Sequence, residues 1–302
     1  MKKISFTRHI LPHAVAIAIF LLTTVLFFKP VFFDNKVLQQ HDIQQFMGSA
    51  KSIVDHRNQT GEEALWANAM FSGMPAYLIN VEWGNIVIGY MKRILSVGLP
   101  HPISNFYLAF ISYYILLLAF GVRPYLAIGG AIAFGLSTYM VVGLSAGHNG
   151  RVGAIAFMPL VMAGIHLAFT NRKILGFGVA TSGLALHLRE NHLQITYYLA
   201  LIVVVYGVIR FIEAVREKTL ADFTKTIGLL ILAAIIGAGT YFGPFWAIAE
   251  YTPYSLRGTN ELAKPGADNQ EGLSKEYAFR YNYGVLEPMT LLIPEFYGGS
   301  SA

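Results

Sequence analysis

Cysteine is absent from all 302 residues, which excludes structural disulfides and cysteine-ligated metals and leaves the redox compartment unmarked. Charge is scarce. Only 13% of the residues are Asp, Glu, Lys or Arg, about half the share usual in soluble proteins, so little of this chain is built to face water. No GxxxxGK[ST] loop occurs, so a phosphate cradle of the nucleotide-binding kind is missing. No basic stripe or aromatic RNA-binding motif speaks for nucleic acid. No Asp-x-Asp pair occurs, so a divalent metal has no such support and no cofactor is expected, although His148 and His192 are open to binding a metal. The one adjacent acidic pair, Glu62-Glu63, would point its carboxylates apart on a helix.

What the chain has instead is apolar runs: 55% of its residues are hydrophobic, grouped in stretches near the length that crosses a bilayer. The runs predict an all-α, polytopic membrane protein of about seven transmembrane helices, near 10–29, 103–120, 124–143, 152–169, 174–188, 193–209 and 226–247. The first run follows Lys2, Lys3 and Arg8 but is long and lacks a small-residue cleavage site, so it reads as an uncleaved anchor. In the fifth, Gly176, Gly178 and Gly183 point to close packing or a bend.

Lys and Arg in the short loops set the expected orientation. With a cytoplasmic N-terminus, the inner face collects Arg123, Arg172, Lys173 and the loop 210–225, which carries Arg210, Arg216, Lys218 and Lys225. The outer short loops keep only Arg151 and Arg189. The long segments 34–102 and 248–302 then lie outside, together with "LSAGHNGRVGAIAFMPLV" (144–161) and "LHLRENHLQITYYL" (186–199).

The first external loop predicts interfacial helices rather than spans at 36–56 and 84–98, because the first is amphipathic and the second is short and carries Lys92 and Arg93. Between them, Ser72-Gly73-Met74-Pro75 reads as a turn. Asp42, with Gln45 three residues on, has the spacing of a helix-capping box.

Several segments in order, "QQHDIQQ", "WANAMFSGMP", "AGHNGRVGAIAFMPLVMAGI", "LRENHLQITYYL", "TPYSLRG" and "YGVLEPMTLLIPEFYGGSS", resemble the bacterial YfhO-like membrane proteins, a family similar to the GT-C glycosyltransferases. The likeness runs along essentially the whole chain. It implies an enzyme of the bacterial cytoplasmic membrane that moves a sugar from a polyprenyl-phosphate donor to an envelope polymer, lipid or protein on the outer face. Members of that family are longer, so the chain reads as an N-terminal part: a transmembrane module over 1–247, then an external tail over 248–302 that begins a further segment.

The resemblance gives Asp42 the part of catalytic base, in place of or beside a cap. His148, Asn149, Arg151, Arg189, Asn191, His192 and Gln194 become candidates for holding the donor. Guanidinium groups grip phosphate bidentately, although Arg at helix ends also snorkels to the interface. Lone histidines are commonly hydrogen-bonded packing groups, and Glu190 has a partner available next door in Arg189. Tyr197 and Tyr198 read as interfacial belt residues. Tyr277, Arg280, Tyr281 and Tyr283 fit either a substrate cover or a packed external layer. The alternative to catalysis is a binding or transport protein for lipid-linked sugars that uses the same basic face.

Overall fold

The computed structural model describes residues 5–83, 86–170, 172–255, 275–280, 282, 284–293 and 296–297. Tyr281, Tyr283 and the side chain of Tyr277 lie outside them. The chain is mostly helical: α1 (Phe6–His9), α2 (Leu11–Phe27), α3 (Lys29–Phe33), α4 (His41–Thr60), α5 (Ile86–Leu95), α6 (Ser104–Ala119), α7 (Pro124–Gly135), α8 (Thr138–Ala146), α9 (Asn149–Phe169), α10 (Lys173–Arg189), α11 (Leu193–Arg216), α12 (Leu220–Gly239), α13 (Phe242–Tyr251) and α14 (Lys275–Ala278). The strands among the described residues are β1 (Trp66–Ala67) and β2 (Met74–Pro75), paired antiparallel with Trp66 opposite Pro75.

Contacts divide the chain into two units, one of residues 1–49 with 84–241 and one of 50–83 with 242–302. The division returns to the sequence twice, so the loop after α3 belongs partly to each unit.

In the larger unit α9 is the central helix, and 78% of its most apolar window is buried. Burial on all sides suits its composition, since Ala154, Ala156, Ala163, Gly164 and Ala168 let neighbouring helices approach closely. A Cβ on Gly164 would lie 2.2 Å from the backbone nitrogen of Ala180, and one on Gly176 would lie 2.2 Å from that of Ala168. Gly183 also faces α9, with Val161 at 3.0 Å, whereas Gly178 has open space. Gly176 and Gly183 therefore serve close packing. Gly164→Ala is expected to lower stability by about 1–3 kcal/mol through overpacking, read as a drop in melting temperature in detergent. Phe106, Met140, Val152, Phe157 and Leu186 build one core around α9, and Phe20, Phe110, Tyr114 and Ala127 build a second between α2, α6 and α7.

Among the described residues three helices are long and apolar enough to cross a membrane: α9, α11 and α12. A fourth span results if α7 and α8, bent by 41°, count as one. Two further apolar helices, α2 and α6, are shorter. These helices mark the chain as a membrane protein.

Three boundaries differ from the sequence expectation. The run 124–143 is broken after Gly135, where the Phe110 ring fills the place of a side chain, 2.3 Å from where a Cβ would stand. Ser137 there turns to extended backbone before α8 begins. The expected loop 210–225 is largely helix, because α11 runs to Arg216 and α12 starts at Leu220. Its charges are accommodated on helix surface, Arg210 pairing with Glu213 at 2.6 Å and three residues' spacing. The run 226–247 stops at Gly239, and α13 begins separately at Phe242. Pro244 explains the stop, since it has no N–H for the carbonyl four residues back and its ring crowds that turn.

The smaller unit joins the latter part of α4, the β1–β2 ribbon and α13. Ile53, Ala67 and Ala76 form its buried centre. Arg57 ties the ribbon's approach to α4: Nε donates to Glu63 Oε1 at 2.6 Å, and Nη2 donates to Oε2 at 2.8 Å and to the Asn80 carbonyl at 3.2 Å. That contact holds the Glu63 carboxyl below its ordinary range and raises Arg57. α4 and α5 occupy the two stretches expected to be interfacial, and neither is long and apolar enough to span.

Candidate functional site

The candidate residues of the larger unit gather where α8 ends, α9 begins and α10 turns into α11. α8 closes in a Schellman turn: the His148 N–H reaches the Gly143 carbonyl at 2.9 Å, and the Gly147 N–H reaches Leu144 at 3.0 Å. Gly147 sits at φ 93°, in the left-handed region that favours glycine. The segment leading into α4 also lies directly on it. A Cβ there would be 3.2 Å from Asp42 Cβ and 3.3 Å from Gln40 Cβ.

A buried chain of carboxamides pins that segment. Gln40 Nε2 donates to Asn149 Oδ1 at 2.9 Å and to the Leu144 carbonyl at 2.5 Å, while Asn149 Nδ2 donates back to Gln40 Oε1 at 3.1 Å. Asn105 Nδ2 donates to the Asn149 carbonyl at 3.1 Å. All three side chains are buried. Both ends of the Asn149 amide are thus engaged within the protein, tying it to Gln40, two residues before Asp42. Asn149→Ala would leave the buried Gln40 Oε1 without its donor, and about 1–3 kcal/mol of stability should be lost. A thermal melt beside that of the unaltered protein checks this.

Asp42 stands in the first turn of α4, and its Oδ2 is 2.9 Å from His148 Nε2. Both side chains are about half exposed, at 47% and 43%. The capping-box alternative does not hold, because α4 already begins at His41 and Gln45 bonds the His41 ring at 2.9 Å. The His148 imidazole meets the carboxylate directly.

Arg151, in the first turn of α9, lays its guanidinium over the Tyr139 ring, 5.1 Å from the centroid, and against Gly143. Its Nε is buried without a hydrogen-bond partner. His192, just before α11, has a buried Nδ1 in the same condition. Burial pushes the His192 imidazole below its ordinary pKa, and the nearby Arg151 and His148 act the same way, against its own backbone, which acts in the opposite sense. Gly150, between His148 and Arg151, packs on the turn that leads to His192, where a Cβ would lie 2.7 Å from the Glu190 carbonyl oxygen. Asp42, His148, Arg151 and His192 therefore form one cluster.

The remaining candidates do other things. Arg189 is exposed, and its Nη2 lies 3.3 Å from where a Cβ on Gly89 of α5 would stand. Asn191 takes φ 51° and makes the turn between α10 and α11, a conformation asparagine tolerates. Gln194 donates to the Tyr198 hydroxyl at 2.8 Å along α11. Glu190 pairs with Lys92 of α5 at 2.7 Å, not with Arg189, and its carboxylate rests on α9, 2.1 Å from where a Cβ on Gly153 would stand.

Sequence reasoning left out Gln40, Asn105, Lys92 and Tyr139, all of which shape this cluster. Only Gln40 carried a signal, by its nearness to Asp42. Among the described residues no three His, Asp or Glu side chains converge as a metal site. The chain matches no family model, no curated protein and no solved structure.

Proposed function

We propose that the chain is the GT-C-like membrane module of a glycosyltransferase, taking a sugar from a polyprenyl-phosphate donor and passing it to an envelope acceptor on the outer face of the bacterial cytoplasmic membrane. The observation that carries this reading is the pair of buried nitrogens without partners, Arg151 Nε and His192 Nδ1, beside the Asp42–His148 pair. Buried polar groups are nearly always satisfied, so two orphans in one place favour a ligand that satisfies them. An anion suits Arg151 and the positive end of α9.

In the reaction, an acceptor hydroxyl oxygen attacks the anomeric carbon and its proton passes to Asp42. The bond from that carbon to the phosphate oxygen breaks, and the phosphate leaves with the electron pair. Arg151, with His192, stabilises the departing charge. His148 keeps the Asp42 carboxylate aligned. An apolar cleft of about 380 Å³ lined by Val161, Leu184, Thr196, Leu199 and Leu230 offers room for the donor's hydrocarbon chain. Its polar end, Thr196, is one helical turn from His192.

In this reading the spans are α2, α6, the α7–α8 pair, α9, α10, α11 and α12, with the N-terminus cytoplasmic. Cysteines placed at Ser145 and Asn191 should then react with an impermeant reagent on intact cells, and one at Lys218 should not. Labelling of Lys218→Cys from outside would reverse the orientation. The enzymatic claim is tested by incubating the longest polypeptide that carries this sequence with polyprenyl-phosphate sugars and following release of the lipid phosphate. Saturable donor binding without any release, across sugars and acceptors, would favour the non-catalytic binding protein.

A further inference from the structure

The chain's three tryptophans, Trp66, Trp83 and Trp246, all fall in the smaller unit. Trp66 lines a cavity of about 590 Å³ together with Ser52, His56, Glu63 and Asn68. That volume lies within the range of small-molecule sites. Trp66 is 56% exposed, and part of its indole rests on Gly73. A Cβ on Gly73 would be 2.7 Å from Trp66 Nε1 and 2.9 Å from Cζ2, so only glycine lets the ring lie there. Gly73 also has φ 120°, and Phe71 and Ser72 before it sit at φ 50° and 62°. Two consecutive non-glycine residues in the left-handed region cost free energy that the surrounding structure must offset, and such strain gathers at ligand clamps. The result is a flat aromatic surface held in place by the backbone beneath it.

The polar groups around the ring narrow the ligand class. Ser52 and His56 lie four residues apart on α4, so they share a face. The side chains of Ser52, His56 and Asn68 make no hydrogen bond or ion pair with other described residues, and so are available. Glu63 is the carboxylate of the cavity, and the bidentate Arg57 contact neutralises it. A cation would meet little attraction there. Arg57 in turn is engaged by Glu63 and Asn80, which disfavours an anion. What remains is a neutral ligand with one apolar face and many hydroxyl groups. A pyranose ring has this form: its axial C–H bonds carry partial positive charge and settle on the negative face of an indole, while its hydroxyls meet amide, imidazole and hydroxyl partners.

We propose that the Trp66 cavity is a carbohydrate-binding site for neutral hexopyranose or N-acetylhexosamine units. It uses the smaller unit alone and does not depend on the glycosyl-transfer reading.

Binding, not turnover, tests it. In the detergent-solubilised protein carrying Trp83→Phe and Trp246→Phe, Trp66 becomes the single fluorescent tryptophan. Titration with glucose, galactose, N-acetylglucosamine and their disaccharides should give a saturable change in its emission for at least one sugar. His56→Ala and Asn68→Ala should each weaken that binding by about tenfold, the loss of one hydrogen-bonding partner, with the melting temperature unchanged. No saturable response through the millimolar range, or binding indifferent to both alanine variants, would overturn the proposal. So would quenching of Trp66 by spin-labelled acyl chains in proteoliposomes, which would make the ring a bilayer anchor.

Discussion

Asp42→Asn is expected to reduce sugar transfer by about 10²- to 10⁴-fold, the range that removal of a general base produces. Asparagine has nearly the same shape, so the contact of this segment with Gly147 and the Gln40–Asn149 amide pair should survive. Its amide can still hydrogen-bond His148 at the distance the carboxylate now holds. What it cannot do is take a proton from an attacking hydroxyl. The expected signature is therefore a fall in kcat with KM for the donor, and the melting temperature, little changed. Arg151→Ala should behave in the opposite way, weakening the donor through the lost guanidinium and opening space over Tyr139. Normal release of lipid phosphate by Asp42→Asn would sink the mechanism and leave a structural ion pair.

The helical, membrane-embedded character of the chain was legible because it rests on long apolar runs. α6, α9 and α10 begin and end within a few residues of where those runs do, since each is bounded by polar or glycine-containing segments. The break between α7 and α8 was not legible. Phe110, on another helix, packs against Gly135 there, and the run 124–143 contains no proline after its start to announce the break. The extension of α11 through Arg210 and Glu213 was hidden for a different reason: charge marks the end of the apolar zone, not the end of hydrogen bonding. For the candidate site, the two polar motifs do meet, as antiparallel helices joined by short turns require. The direct contact of Asp42 with His148 depends on how the segment before α4 lies on Gly147, which no local pattern encodes. Glu190 shows the same limit. Its chain neighbour Arg189 looked like its partner, yet adjacent helical residues project in different directions, and α5 supplied Lys92 instead.

That Lys92–Glu190 pair should be the most sensitive electrostatic contact among those described. The Glu190 side chain is 5% exposed and that of Lys92 is 17%, so neither charge is well served by water. Removing one partner of a buried pair strands the other, and Lys92→Met is expected to cost about 3–5 kcal/mol. The stranded charge would be a carboxylate pressed onto α9, where Gly153 leaves no side chain to yield. Glu190→Gln should cost less, because the long Lys92 side chain can carry its ammonium outward to water. The double variant Lys92→Met/Glu190→Gln should recover most of the loss, since neither charge then remains buried. Melting temperatures of the four proteins in one detergent read this cycle directly. Because Glu190 adjoins the turn that carries His192, the single Lys92→Met variant should also lose donor binding, and the double variant should regain it. A Lys92→Met protein as stable as the original would mean that water reaches this pair, and that α5 is held against α10 by its apolar contacts alone.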